Sequence, residues 1–266
     1  MLQRKYFEHI LTDHCNLKCE NCSMHSPFLD EEFSELEVFK RDLDVMSKIM
    51  KVEKFRFIGG EPTLHPQLFD FIQAVKDSEM ADSVAICTNG VNLYSWTDEM
   101  FNQVGHIDVS IYKETKIDYT QMFWFLRAKK RELNDSFTFT MTPFGFFMDM
   151  YSNEKLDDET VQKTYNDCIN KSTCHSFKNG TYYRCSITVT KNKFLKSIGK
   201  EVETNFLETD GLSIHEPDLE ARLIEYIRSP KPLGACSYCH GTNAEVKPRK
   251  QQTVEEIKFY KNGIVA

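Results

Sequence analysis

Residues 15 to 27 read CNLKCENCSMHSP and set Cys15, Cys19 and Cys22 within eight positions, with an x3 and then an x2 spacing. Thiolates are soft ligands, and a tight group of them suits zinc or an iron–sulfur cluster. A structural zinc site takes four ligands and commonly divides them into two CxxC pairs. His14 or His25 would supply the fourth donor in that case. An iron–sulfur cube held by three cysteines leaves one iron open to a substrate or cofactor. A second group lies far along the chain: Cys168, Cys174, Cys185 and the pair Cys236-x2-Cys239. If Asn179-Gly180 is a two-residue turn, counting outward from Lys178 and Thr181 sets Cys174 opposite Cys185. Four thiolates from two loops suit a zinc ribbon or a closed [4Fe–4S] cluster. Five thiols compete for those four positions, and spacing leaves Cys168 and Cys174 as alternatives.

The elements that must hold these thiols alternate. YFEHILT, KFRFIGG, SVAICTNG, HIDVSIY and SFTFTMT read as strands between residues 6 and 142. The segments between them carry helical spacing. In SELEVFKRDLDVMSKIM, Leu36, Phe39, Leu43, Met46 and Met50 share a face, with Ser34 as N-cap and Glu37 completing a capping box. Repeated βα units imply a parallel sheet with right-handed crossovers and a site at the carboxyl ends of the strands. Five strands fall short of the eight that close a barrel. The expected fold is therefore α/β, a partial, open (βα)5-6 TIM-like barrel, with a boundary near residue 150. Beyond it, DDETVQKTYNDC and EPDLEARLIEYIRS read as helices and HSFKNGTYYRC as a hairpin.

Composition removes several classes of function. The 266 residues, 41 % hydrophobic and 27 % charged, are globular. A net charge of −7 argues against nucleic acid as the main partner. No apolar run approaches the roughly 18 residues of a membrane span, and MLQRKYFEH lacks the apolar core of a secretory signal. Nine cysteines without such a signal favour metal or redox chemistry in a reducing cytoplasm.

Four stretches in order, each at a strand end or in a strand, resemble the radical S-adenosylmethionine (SAM) enzymes: Cys15-x3-Cys19-x2-Cys22, GGEPTLHP at 59–66, CTNG at 87–90 and VSIY at 109–112. The resemblance covers roughly residues 6–142. It implies that Cys15, Cys19 and Cys22 bind three irons of a [4Fe–4S] cluster whose fourth iron chelates SAM. Gly59, Gly60 and Glu61 would then meet the methionine ammonium, and Thr88, Asn89 and Ser110 the ribose and carboxylate. One electron from a reductase such as a flavodoxin or ferredoxin would cleave SAM to a 5′-deoxyadenosyl radical that takes hydrogen from substrate. The residue before the third cysteine, often aromatic in the family, is Asn21 here.

Cys168, Cys174, the Gly180-x4-Cys185 hairpin and Cys236-x2-Cys239 resemble the auxiliary-cluster (twitch) extension of the SPASM subgroup. The implied organisation is a radical SAM core over 1–150 and a module with one auxiliary [4Fe–4S] cluster over 151–266. Oxidation or epimerisation of a sugar-like or aminocyclitol small molecule ranks first. Modification of a ribosomally made peptide ranks second, because the residues ahead of the first strand leave no room for a leader-recognition module of about 80 residues. A non-catalytic zinc or iron–sulfur module is the third class. Among the remaining residues, Cys87 reads as a small buried side chain, His65 as a loop-orienting residue and His240 as a polar loop residue. FGFFMDM reads as core or lid packing in which Asp149 could meet a polar substrate. Lys247, Arg249 and Lys250 read as solvated surface.

Overall fold

The computed structural model describes residues 1–261. Five strands alternate with helices over its first half: β1 (Leu2–Thr12), α1 (Leu36–Ser47), β2 (Met50–Gly59), α2 (Leu68–Asp77), β3 (Ala81–Thr88), α3 (Asp98–Gln103), β4 (His106–Ile111), α4 (Tyr119–Glu132) and β5 (Thr138–Pro143). All four pairings among these strands are parallel. The expected α/β open barrel is what forms. The hairpin of β7 (Ser176–Lys178) and β8 (Thr181–Tyr183) then joins the free edge of β1, and β9 (Gly211–Ser213) follows, for a sheet order β5-β4-β3-β2-β1-β7-β8-β9. The sheet thus runs across the expected boundary near residue 150. Asn179 and Gly180 take φ of 51° and 75° at the hairpin turn, the left-handed pair that a type I′ turn requires. β6 (Phe146–Met148) and β10 (Val246–Pro248) form a separate antiparallel ribbon. Among the described residues, no helix is long and apolar enough to cross a membrane.

Strand side chains alternate between the two faces of the sheet, and here the faces differ in chemistry. One face is apolar and covered by helices. Phe7 of β1, Phe55 and Phe57 of β2, Phe39 of α1, Phe71 of α2 and Phe177 of β7 are all buried in one core. The opposite face, toward the barrel interior, carries Glu8, Arg56, Cys87, Asp108 and Ser110. Glu8 and Arg56 are register neighbours and form an ion pair.

One local expectation is overturned. α1 begins at Leu36 with Glu35 as N-cap and no side-chain cap bond. Ser34 instead donates its hydroxyl to the Ile10 carbonyl (2.7 Å) and its N–H to Leu11 (2.8 Å). A tertiary bond to β1 has won over the capping box.

Phe39 lies at the centre of the phenylalanine core, with ring centroids 4.5 Å from His9, 4.9 Å from Phe71 and 5.5 Å from Phe177. Replacing it with alanine should cost about 3–5 kcal/mol through lost contacts and a residual cavity. Urea denaturation checks this as a lowered midpoint at unchanged slope. An unshifted midpoint would contradict the packing described.

Candidate active site

The carboxyl ends of β1 to β4 open onto a cleft with about 1100 Å³ free of atoms, part of it continuous with solvent. Cys15, Cys19 and Cys22 line it together with Gly59, Gly60, Glu61, Thr88, Asn89 and Ser110. Every residue assigned to the first site from sequence therefore meets in one place.

The three loops are tied by backbone and carboxylate. Gly60 N–H donates to Thr12 O (2.7 Å) and Glu61 N–H to His14 O (2.8 Å). A Cβ on Gly60 would fall 1.9 Å from the His14 carbonyl oxygen, and one on Gly59, whose φ is +140°, 2.4 Å from that of Thr12. The glycines are thus required by the cysteine loop itself, a closer constraint than the approach of a ligand. Glu61 is fully buried, and burial raises its pKa. Its carboxylate accepts from Thr63 N–H (3.1 Å), Thr63 Oγ1 (2.7 Å), Thr88 Oγ1 (2.7 Å) and Asn89 N–H (2.7 Å). Asn89 passes the link on, donating from Nδ2 to Asn16 Oδ1 at 2.7 Å. Three of these donors reach Oε1 and one, Asn89 N–H, reaches Oε2, so the carboxylate is held by protein donors on both oxygens.

The histidines proposed as a fourth zinc ligand fare poorly. His25 is buried, with Nδ1 2.9 Å from Thr190 Oγ1 and Nε2 3.2 Å from Lys191 Nζ, so neither ring nitrogen is free. Among the described residues, no three Cys, His, Asp or Glu side chains converge tightly enough for a single metal ion. The thiols of each group line a cavity. His65 bridges Ser34 O (3.0 Å) and Gln67 N–H (3.1 Å), which makes it the loop-orienting residue expected. Asn21 is buried with φ 58°, a left-handed conformation that asparagine tolerates and a bulky aromatic does not.

A second, enclosed cavity holds about 390 Å³ of space free of atoms and is lined by Cys168, Cys185, Cys236 and Cys239. Cys174 is not among them. The β7–β8 ladder ends at Ser176 and Tyr183, and Cys174 and Cys185 beyond it serve different cavities. Cys174 lines the first cleft, where burial pushes its thiol up to about 12. Lys191 is 1 % exposed, and burial lowers its pKa against the opposing pull of Cys239, Cys185 and Cys236. The two cavities share Met150, Asn170 and Ile187 as a common wall.

Two further features escaped the sequence, Cys87 and Arg249, while FGFFMDM reads as core or lid packing. Cys87 lines the cleft instead of lying in the core, with burial holding its thiol at about 12. Phe147, Met148 and Met150 of FGFFMDM also line the cleft, while Asp149 is taken up by Lys247 (2.5 Å). Arg249, read as solvated surface, is 7 % exposed and donates from Nη2 to Cys19 Sγ at 3.0 Å. A run of charged residues gives no sign that one of them turns inward.

Residues 9–112 match the Radical SAM superfamily. Over these residues the chain is similar to that superfamily. It is 33 % identical over 108 residues to a tungsten-containing aldehyde ferredoxin oxidoreductase cofactor-modifying protein of Pyrococcus furiosus, covering 40 % of this chain and 29 % of the relative. It is 36 % identical over 89 residues to a GTP 3′,8-cyclase of Chlorobaculum tepidum, covering 33 % and 26 %. The chain spans under a third of the length of these two relatives. Among solved structures, BtrN with AdoMet and 2-DOIA superposes with a TM-score of 0.44 at 13 % identity, covering 99 % of this chain and 88 % of that one. The anSMEcpe enzyme with bound AdoMet gives 0.49 at 13 % identity, covering 85 % and 84 %. Radical SAM domains use a [4Fe–4S] cluster and SAM, and the donor set of this cleft fits both: three thiols, one of them facing a buried guanidinium, beside a glycine turn without side chains at the end of β2.

Glu61→Gln replaces one carboxylate oxygen with an amide NH2, which sets it at the least against the Asn89 N–H that Oε2 accepts. It should weaken SAM binding by about ten- to a hundredfold, the usual effect of losing an outer-shell partner, at unchanged iron content. Equilibrium dialysis with labelled SAM, alongside iron analysis, tests this; wild-type affinity would show that the carboxylate does not organise the site.

Proposed function

We propose that the chain is a radical SAM oxidoreductase acting on a small polar molecule, sugar-like or aminocyclitol in class, by oxidation or epimerisation at a hydroxyl-bearing carbon. The observation that carries this reading is the common wall of Met150, Asn170 and Ile187 between the three-cysteine cleft and the four-cysteine cavity. In this reading Cys15, Cys19 and Cys22 hold three irons of the first cluster, and Gly59, Gly60, Thr88, Asn89 and Ser110 contact SAM. Together the bound groups supply one-electron cleavage of the sulfonium and a carbon radical able to take hydrogen from substrate.

The chain's own residues supply the rest. Glu61 holds the β2 and β3 ends in register beneath SAM. Phe147, Met148 and Met150 keep water from the reacting carbon. Glu8 and Ser186, joined by a 3.0 Å hydrogen bond on the cleft floor, offer polar partners for substrate hydroxyls. Cys168, Cys185, Cys236 and Cys239 close the shell of an auxiliary [4Fe–4S] cluster with no iron free for SAM. Lys191 balances its charge. After a hydrogen atom leaves, oxidation of a hydroxyl-bearing carbon still requires loss of one electron and the hydroxyl proton; a cluster held by the four thiols behind the shared wall would supply an acceptor for the electron, and Glu8 in the cleft a carboxylate for the proton. A flavodoxin- or ferredoxin-type reductase supplies the first cluster, and a reducing cytoplasm suits nine free thiols.

Anaerobic reconstitution should give about eight irons per chain, the sum of two cubes. Replacing Cys15, Cys19 and Cys22 together should remove half. Cys174→Ala should keep the full complement while Cys168→Ala lowers it. Stoichiometric zinc without iron would overturn the reading.

Under strong reductant the holoprotein should convert SAM to 5′-deoxyadenosine and methionine. Replacing Cys236 and Cys239 should stop product formation while leaving 5′-deoxyadenosine measurable, with circular dichroism as a folding control, since metal binding contributes to folding. Wild-type turnover by a folded variant without the auxiliary cluster would rule out the electron-acceptor role.

A further inference from the structure

The segment after β10 returns to the cysteine loop as a strap. Glu20 N–H donates to Lys250 O (3.0 Å) and Gln252 N–H to Lys18 O (2.7 Å), an antiparallel bridge that sets Cys19 opposite Gln251. Two side chains of the strap point at one sulfur. Arg249 Nη2 lies 3.0 Å and Gln251 Nε2 3.3 Å from Cys19 Sγ. Cys15 is served from elsewhere. Cys15 accepts from Leu17 N–H at 3.4 Å and faces Asn89 Nδ2 only at 3.9 Å.

The guanidinium is 1 % exposed, lies 3.8 Å over the Tyr112 ring and pairs with Glu114 through Nη1. Its Nε is buried with no hydrogen-bond partner. A desolvated cation with one donor on a thiol and another unused suits a site that carries more negative charge than neutral thiols do. Gln251 is fixed from its other end, where Oε1 accepts Lys18 N–H.

We propose that Arg249 and Gln251 set the reduction potential of the cluster held by Cys15, Cys19 and Cys22, through donation to the Cys19 sulfur. This deepens the cluster assignment above and rests on it. Reduction adds one electron and no proton, so the reduced cluster is one charge more negative than the oxidised one. Donors and a cation at a ligand sulfur stabilise the more negative state more, and the potential rises. The strap thereby brings the cluster within reach of a low-potential flavoprotein or ferredoxin. Both residues are positioning residues: neither needs to touch substrate.

The test is a redox titration of anaerobically reconstituted protein against dithionite, followed by electron paramagnetic resonance of the signal that changes on adding SAM. That change separates the first cluster from the auxiliary one. Arg249→Met and Gln251→Glu should each make this cluster about tenfold harder to reduce, which is 59 mV for one electron, at wild-type iron content. Arg249→Lys, which keeps the charge, should recover part of the shift. Gln251→Glu retains the acceptor for Lys18 N–H, so it carries the test if Arg249→Met does not fold. A full SAM-responsive signal with wild-type midpoint in the folded variants overturns the proposal. A wild-type protein with no SAM-responsive signal overturns the cluster assignment itself, and the tuning role with it.

Discussion

The contact of the Gly59-Gly60 turn with the backbone of Thr12 and His14 governs everything around it. Two strand ends can come this close only where neither carries a Cβ, because a methyl group at Gly60 would sit inside the His14 carbonyl. The contact fixes where the chain leaves β1, and so where Cys15 begins its loop. Glu61 then extends the constraint sideways. Its four accepted hydrogen bonds fasten the end of β2 to that of β3, and Asn89 closes the circuit to Asn16 on the cysteine loop. A buried carboxylate saturated in this way is rigid, since losing any one donor exposes the cost of burying it.

The barrel supplies the opposite character on its inner face. A closed barrel fills its interior with apolar layers. This open sheet leaves Glu8, Arg56, Cys87, Asp108 and Ser110 facing inward and confines its aromatic core to the helix side. Polar residues are tolerated there because they pair with one another and border a cleft. The apolar ribbon residues Phe147 and Met148 cover that cleft from the other side, which gives a polar floor under a hydrophobic roof.

Two buried cations mark where the second half of the chain meets the first. Lys191 stands beside the four-thiol cavity and reaches His25 on the first cysteine loop, while Arg249 reaches Cys19 directly. Both come from segments more than 160 residues away from the loop they touch. His25 and Cys19 on the cysteine loop are therefore partnered by distant parts of the chain.

The local features were legible in the sequence because their causes are local. The βα alternation follows from side-chain periodicity, and the Asn179-Gly180 turn from left-handed backbone. The three-cysteine loop follows from residues that cannot be far apart. Cys174 and Cys168 differ by six positions and look equivalent along the chain; only tertiary packing sends Cys168, at the end of the helix over Asp158–Asp167, to the four-thiol cavity and Cys174 to the cleft. Arg249 and Lys247 likewise look alike. Their separation into a buried donor and a partly exposed ion pair depends on the strap crossing the cysteine loop, a contact across more than two hundred residues. Sequence by itself determined the chemistry of the loops. Tertiary structure decided which thiol and which cation joins each cavity, because a side chain's partners are set by the packing of distant segments and not by its neighbours in the chain.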